Sequence, residues 1–403
     1  MAALTPISRK PLSLVIPTVA AAGGLLGLMV GTSNGSGSMG VLIGAIAVAA
    51  FAMFCITILK NESLSKWIAI IGLAIPGFLL GGPVLMVLAA IAGWFYHWFI
   101  YWMYEGRYRR HLLAYLTPGQ VLWNYTFRVI CGAVFVFLIT PILVVLPLSF
   151  NAQDFFTFTP EMLQFDPAGY SLKHYIDFFT NNEWQRSFKN SLVIAPIATV
   201  ISVTLGTLAA IGLSQSHVPF RRAIMAILIS PMIVPLIISA TGMFFFYSDI
   251  GNWLENSLGL PKTFVGYVKV VLAHAVLGIP FVIITVTATL VGFDRSLTRA
   301  AANMGAGPVR TFFKVQMPLI MPGVISGALF AFITSFDEVV VVMFVGSASQ
   351  KTLPWQMFIG LREQISPTIL AVATILVGIS IVLLTVVELL RRRSERLRGL
   401  SPG

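Results

Sequence analysis

The sequence predicts an all-α, polytopic membrane protein of about ten transmembrane helices. Three observations carry this. Of the 403 residues, 57% are hydrophobic and only 10% are charged, against about a quarter charged in soluble domains. The apolar residues fall in long runs that approach or exceed the roughly 20 residues needed to cross a bilayer. The net charge of +11 is concentrated in the short segments between those runs, as the positive-inside rule requires of cytoplasmic loops. In a soluble chain such a charge would suggest nucleic acid. Here it marks loop orientation, and no nucleic-acid partner is expected.

The first span is expected over residues 12–30. A small, polar, uncharged linker, Gly31 to Ser38, turns the chain into a second span at 39–59. Lys60, Glu62 and Lys66 mark a return loop. The run from Trp67 to Tyr104 is too long for one crossing, and Gly81-Gly82-Pro83 divides it into short spans at 67–80 and 84–104. Aromatic residues crowd its end, from Trp94 to Tyr104, as in an interfacial belt. Residues 1–104 thus form an N-terminal four-span extension, and 105–125 a basic linker. Residues 126–403 hold six further spans, at about 126–149, 188–213, 221–247, 264–291, 319–345 and 367–390. Between the first two lies an aromatic, mixed-charge loop, Asn151 to Lys189, placed outside. Most of the 26 Lys and Arg residues then fall in loops on one side, with both termini on that side, the cytoplasm. The tail from Arg391 to Arg396 reads as an anchor to the lipids of the inner leaflet.

Cys55 and Cys131 both lie inside apolar runs, which excludes a disulfide scaffold and a cysteine metal site. No Gly-Lys-Ser/Thr occurs, so the chain has no P-loop of its own. His274, within a span, reads as a packing or hydrogen-bonding residue, and His217 lies in a loop. Pro196, Pro231, Pro235 and Pro280 fall inside predicted spans, where each can kink a helix.

The most informative loop is residues 293–318, FDRSLTRAAANMGAGPVRTFFKVQMP. Its Arg295, Arg299, Arg310 and Lys314 face one acid, Asp294. It reads as helix, break, helix. Ser296 or Thr298 caps the first helix and Gly305 ends it. Pro308 starts a second helix running to about Val315. Pro318 closes that helix and opens the next span. Arg299-Ala300-Ala301, Gly305, Phe312/Phe313 and Pro318 resemble the Glu-Ala-Ala loop of ABC importer permeases. Here the Glu position is Arg299, and Met317 replaces the Leu before Pro318. The resemblance implies that this loop, with Pro308, is a coupling helix docking in a cleft of a separate ATPase subunit, which binds the ATP and Mg. This chain itself is expected to bind no cofactor and no metal, and to perform no covalent chemistry.

A second cluster lies in the fifth of the six spans: Thr334, Ser335, Asp337 and Glu338. A carboxylate in the outer half of a bilayer is costly and should face a bundle interior, a water-filled path or a partner. The residues alone leave open a cation-attracting pathway surface and a structural pair. Ser335-Phe336-Asp337-Glu338-Val339, Leu353-Pro354, Ser366-Pro367 and Ala371-Val372-Ala373-Thr374 are similar to the spermidine/putrescine-type branch of the same family. The resemblance covers 126–395 and not the first four spans. It implies a permease core for a small charged organic solute, a polyamine or an amine, amino-acid-like or opine-like relative, in the bacterial plasma membrane. The implied partners are ABC ATPase subunits, a second related permease and an extracytoplasmic solute-binding protein. The competing class is an ion-coupled secondary transporter using Asp337 or Glu338.

Overall fold

The computed structural model describes residues 9–33, 35–59, 61–110, 112–113, 115–214, 218–294, 296–364 and 366–397; Arg295 and His217 lie outside them. The described residues are predominantly helical, with an isolated antiparallel β-bridge between Asn151 and Tyr170. They divide into two compact units, residues 1–171 and 172–403.

The first unit opens with α1 (Leu12–Ser33) and α2 (Gly37–Phe54), the latter continuing as a π-helical turn, Cys55–Leu59. The predicted linker is largely absorbed into these helices. They pack antiparallel through small residues: a Cβ on Gly27 would meet the Gly40 carbonyl oxygen at 1.9 Å, and one on Gly44 the Gly23 carbonyl oxygen at 2.4 Å. Without water to drive association, close approach of backbones is what holds such helices together. α3 (Glu62–Tyr104) is a hairpin in its own right. Gly81 and Gly82 leave helical geometry, and Gly82 takes φ +72°, which favours glycine. The two halves then run antiparallel. A Cβ on Gly93 would lie 2.3 Å from the Ala69 carbonyl oxygen, and the Ser65 hydroxyl donates to Tyr101 Oη at 3.0 Å. The predicted division of 67–104 is therefore seen. Val15, Val19, Ala52, Cys55, Ile100 and Tyr101 form the buried core where α1, α2 and the second half of α3 meet. Arg107 closes the hairpin ends by pairing with Glu62 at 2.7 Å and with Glu105. α4 (Pro118–Leu148) begins with a Thr117/Gln120 capping box, and α5 (Pro160–Leu163) is one short turn.

The second unit begins with α6 (Lys173–Thr180), α7 (Asn182–Ser214), α8 (Arg221–Ile233), α9 (Leu236–Leu258) and α10 (Lys262–Val291). α10 is the hub. Val270, Ala273, His274, Val282, Ile283 and Val286 along it are fully buried. α7 and a later helix, Met317–Phe336, approach it over small residues: a Cβ on Gly278 would clash with Ser202, and one on Gly327 with Val282. The Ser202 hydroxyl also donates to the Ala275 carbonyl at 2.9 Å across that contact. Pro196 and Pro280 sit inside unbroken helices, whereas the predicted single span 221–247 is bent by 104° between α8 and α9, at Val234-Pro235.

Then follow α11 (Ser296–Asn303), α12 (Pro308–Thr311), α13 (Met317–Phe336), α14 (Val340–Val345), α15 (Leu353–Ile359) and α16 (Thr368–Leu397). Among the described residues, seven helices are long and apolar enough to cross a membrane, eight if the bent α8–α9 pair is one span. α1 adds a shorter apolar helix, Leu12–Leu28, and α3 holds two antiparallel halves within one of the seven.

Candidate functional site: the 293–318 loop and the break after α13

The loop joins the hub helix α10 to α13, so it is anchored at both ends in the buried core. Its first cap differs from the expected one. Asp294, two residues ahead of Ser296, accepts the Ser296 N–H at 2.8 Å and the Ser296 hydroxyl at 2.7 Å. An aspartate in this Asx geometry satisfies helix-start donors better than the serine hydroxyl it engages. The Ser296 hydroxyl, then its N–H, and then the charge of Arg299 hold the Asp294 carboxyl below the ordinary aspartate range. Arg299 thus has an acid of its own chain nearby.

The end of α11 explains the Ala-Ala-x-x-x-Gly spacing. The Ala306 N–H donates to the Ala301 carbonyl at 3.0 Å and the Gly305 N–H to the Ala302 carbonyl at 2.9 Å. These are the two bonds of a Schellman cap, and Gly305 supplies the left-handed residue it needs, at φ +78°. The chain then re-enters helix at Pro308.

From here the structure corrects the expectation for Pro318. It does not close a helix. α12 runs through a π-helical turn, Phe312–Gln316, directly into α13, giving one apolar helix from Pro308 to Phe336. The Met317 N–H reaches back to the Phe312 carbonyl, and Pro318, lacking an N–H, follows at once. A proline inside a regular α-helix removes a donor and clashes with the carbonyl four residues back. The wider turn before Pro318 accommodates it.

The assembled loop is a small knob. Gln316 Nε2 donates to Thr298 Oγ1 at 3.4 Å and holds α11 against the base of α13. Met304, Val309 and Phe313 are exposed on it, Met304 at 87%. Ala300, Arg299, Arg310 and Lys314 are exposed with them, while Phe312 is half-buried and stacks edge-on against Phe313, ring centroids 4.8 Å apart. Arg299 also lines a cleft with Thr298, Gln316, Phe293 and the end of α7 at Ile211 and Ser214.

The second cluster is organised differently from the expectation. The predicted span 319–345 breaks after Phe336. Asp337 caps the C-terminus of α13 with its N–H on the Ile333 carbonyl, and Glu338 folds forward so that Oε1 accepts the Val341 N–H at 2.7 Å. A carboxylate beside the free N–H groups of a new helix start is a stabilising arrangement. Glu338 is buried and Asp337 exposed at the break. Thr334 and the two acids therefore do not share the face of one helix. Ser335 is buried and bonded to His274 Nδ1 at 2.9 Å, which ties α13 to the hub. Sequence spacing placed both residues in spans; nothing in it indicated that they meet, 61 positions apart.

A bundle of apolar helices around α10, with a Schellman-closed helix–glycine–helix knob between α10 and α13, is the architecture of a membrane permease. The chain belongs to the family described as binding-protein-dependent transport system inner membrane component, whose model matches residues 202–397, wholly within the second unit. It is similar to the putrescine transport system permease protein PotI of Escherichia coli, 30% identical over 246 residues, covering 60% of this chain and 83% of that one. It is similar to the spermidine/putrescine transport system permease protein PotC of Haemophilus influenzae, 28% identical over 262 residues, covering 65% and 95%. In fold it is similar to a chain of a bacterial ABC transporter involved in the import of alginate, with a TM-score of 0.51 at 16% identity, over 68% of this chain and 98% of that one. A second structure of such a transporter, in complex with a pentasaccharide-bound periplasmic protein, gives 0.52 at 15% identity over 70% and 96%. The chain is a multi-pass bacterial inner-membrane permease.

Proposed function

We propose that the chain forms the translocation pathway of an ATP-driven importer for a polyamine such as putrescine or spermidine, or a related small charged amine, and that the 293–318 knob receives the thrust of a separate ATPase. The observation that carries the coupling role is the loop's construction. Its apolar residues Met304, Val309 and Phe313 face outward rather than into the fold. At one end Gly292–Asp294 lead out of α10, and at the other a continuous helix from Pro308 to Phe336 runs into the core. A push on the knob therefore reaches the buried core directly.

In this reading ATP and Mg are held by the partner ATPase, both termini are cytoplasmic, and a second related permease completes the pathway. A solute-binding protein delivers the solute at the far side. Arg299, Arg310 and Lys314 give the knob a positive surface, so the ATPase cleft presents acids to it. The exposed Asp337, at the break between α13 and α14, is the group that draws a cationic solute, and Glu338 sets the geometry of that break. The ion-coupled alternative is not favoured, since the chain's family is one of binding-protein-dependent transport and the named relatives are permeases of putrescine and spermidine/putrescine transport systems. The test is uptake of radiolabelled putrescine and spermidine into cells carrying the whole transporter. Uptake should need the ATPase and survive collapse of the ion gradients at constant ATP. Uptake that persists without the ATPase and follows a sodium or proton gradient contradicts the proposal.

A further inference from the structure

We infer that the pocket at the far end of α7 and α10, remote from the 293–318 knob, is a site for an anionic phospholipid, with its phosphate on Arg186 and Lys189 and an acyl chain along Val193 and Ile197. The pocket is lined by these residues with Asn190, Phe264 and Tyr267. One stripe of α7 runs along it at helical spacing: Arg186, Lys189 and Asn190, then Val193, then Ile197. The stripe changes from charged to apolar once, just after Asn190. At ~1.5 Å per residue the distance from Arg186 to Ile197 is about 16 Å, comparable to the reach from a lipid phosphate to the middle of its acyl chain.

The polar end is built and positive. Asn190 is only 4% exposed. Its Nδ2 donates to the Ser349 carbonyl at 2.9 Å and the Lys351 carbonyl at 2.8 Å, and its Oδ1 accepts from the Tyr267 hydroxyl. That net fixes the pocket floor between three segments. Arg186 and Lys189 are exposed above it, and neither is in an ion pair among the described residues. The acid on the same turn, Glu183, is engaged by Lys351 at 3.1 Å. Below the floor, Val193 is 48% exposed, Ile197 46% and Phe264 54%. Two unpaired cations over an apolar groove suit an amphiphile with an anionic head, the same pairing of basic groups and apolar helix faces that holds such heads in pockets at the cytoplasmic side of membrane proteins, here at the opposite end of the helices. An acidic peptide would use the charges but leave the groove empty.

The experiment uses the whole transporter, purified with its partners and placed in nanodiscs of phosphatidylcholine with or without 30% phosphatidylglycerol. Retained lipid is read by native mass spectrometry. The unaltered complex should keep phosphatidylglycerol through delipidation. R186Q/K189Q should weaken that binding roughly thirtyfold. Ile197→Trp, which fills the groove and leaves the charges, should weaken it as well, and 10 mM inorganic phosphate should not displace the lipid. Equal retention in all three complexes overturns the inference. Displacement by phosphate with Ile197→Trp unaffected shows an anion site with no lipid and also overturns it. So does loss of solute-binding-protein docking in R186Q/K189Q with lipid retention unchanged. Because all three side chains are exposed, assembly of the variants is expected, and ATPase copurification checks it.

Discussion

Gly305 offers the most discriminating perturbation. Its φ of +78° closes the Schellman cap, yet a Cβ there would meet no atom within 4 Å. Within this chain the effect of Gly305→Ala is therefore a backbone effect, and the order of substituents separates it from a clash with the ATPase cleft. An L-residue in the left-handed region costs about 1–2 kcal/mol, and Asn carries a smaller penalty than Ala because its short polar side chain bonds locally. A β-branched residue is worse than either. If the undocked loop relaxes out of the left-handed conformation, docking has to restore it, and about 1–2 kcal/mol weakens docking roughly 5- to 30-fold. The expected order of ATPase copurification and solute-stimulated hydrolysis is Gly, then Asn, then Ala, then Val. Size alone would give a different order, with Asn worse than Ala. If Asn proves no better than Val, or Ala is indistinguishable from Gly, the cap is not what presents the knob and the reasoning fails.

Four further outcomes are expected. Arg299→Glu should reduce recovery of the ATPase with the tagged chain, because it reverses the sign of the knob beside Asp294; stronger recovery would show that the cleft opposite is basic. Glu338→Gln keeps an oxygen for the Val341 N–H and should assemble normally, whereas Glu338→Ala should lose about 0.5–2 kcal/mol of stability, as other cap removals do, read as a lower melting temperature of the complex. Asp337→Asn should leave that temperature unchanged and raise the KM for a polyamine, and an unchanged KM removes Asp337 from the pathway. Ser335→Ala strands the buried His274 Nδ1 and should destabilise by about 1–3 kcal/mol, with much of the loss recovered when His274 is replaced by Phe in the same chain.

Much of the fold could be read from residues because a bilayer imposes length and polarity so strictly. The apolar stretches, the Gly81-Gly82 turn and the Gly305 stop each follow from a local rule. The features that escaped are those where one residue type serves two geometries. A carboxylate within an apolar run looks the same whether it lies on a helix face or, like Glu338, caps a new helix, so the break after Phe336 left no trace in composition. Pro235 bends a span while Pro196 and Pro280 do not, because the neighbours of each decide whether freed carbonyls find partners. Pro318 read as a stop because the π-helical turn that admits it has no sequence signal of its own. Ser296 and Thr298 both read as caps by residue type, but Asp294, two positions before Ser296, takes the Ser296 N–H and hydroxyl instead. The pairing of His274 with Ser335 depends on the rotation of α10 against α13, which spacing along the chain does not fix.

Coupling of the 293–318 knob to a separate ATPase is tested by copurification of the tagged chain from native membranes, with and without Gly305→Val, followed by solute-stimulated ATP hydrolysis. A coupling knob gives a stoichiometric ATPase on the unaltered chain, hydrolysis stimulated by a loaded polyamine-binding protein, and loss of both on Gly305→Val while the chain still folds and inserts. A chain that purifies without an ATPase, or one whose ATPase is indifferent to Gly305→Val, contradicts it.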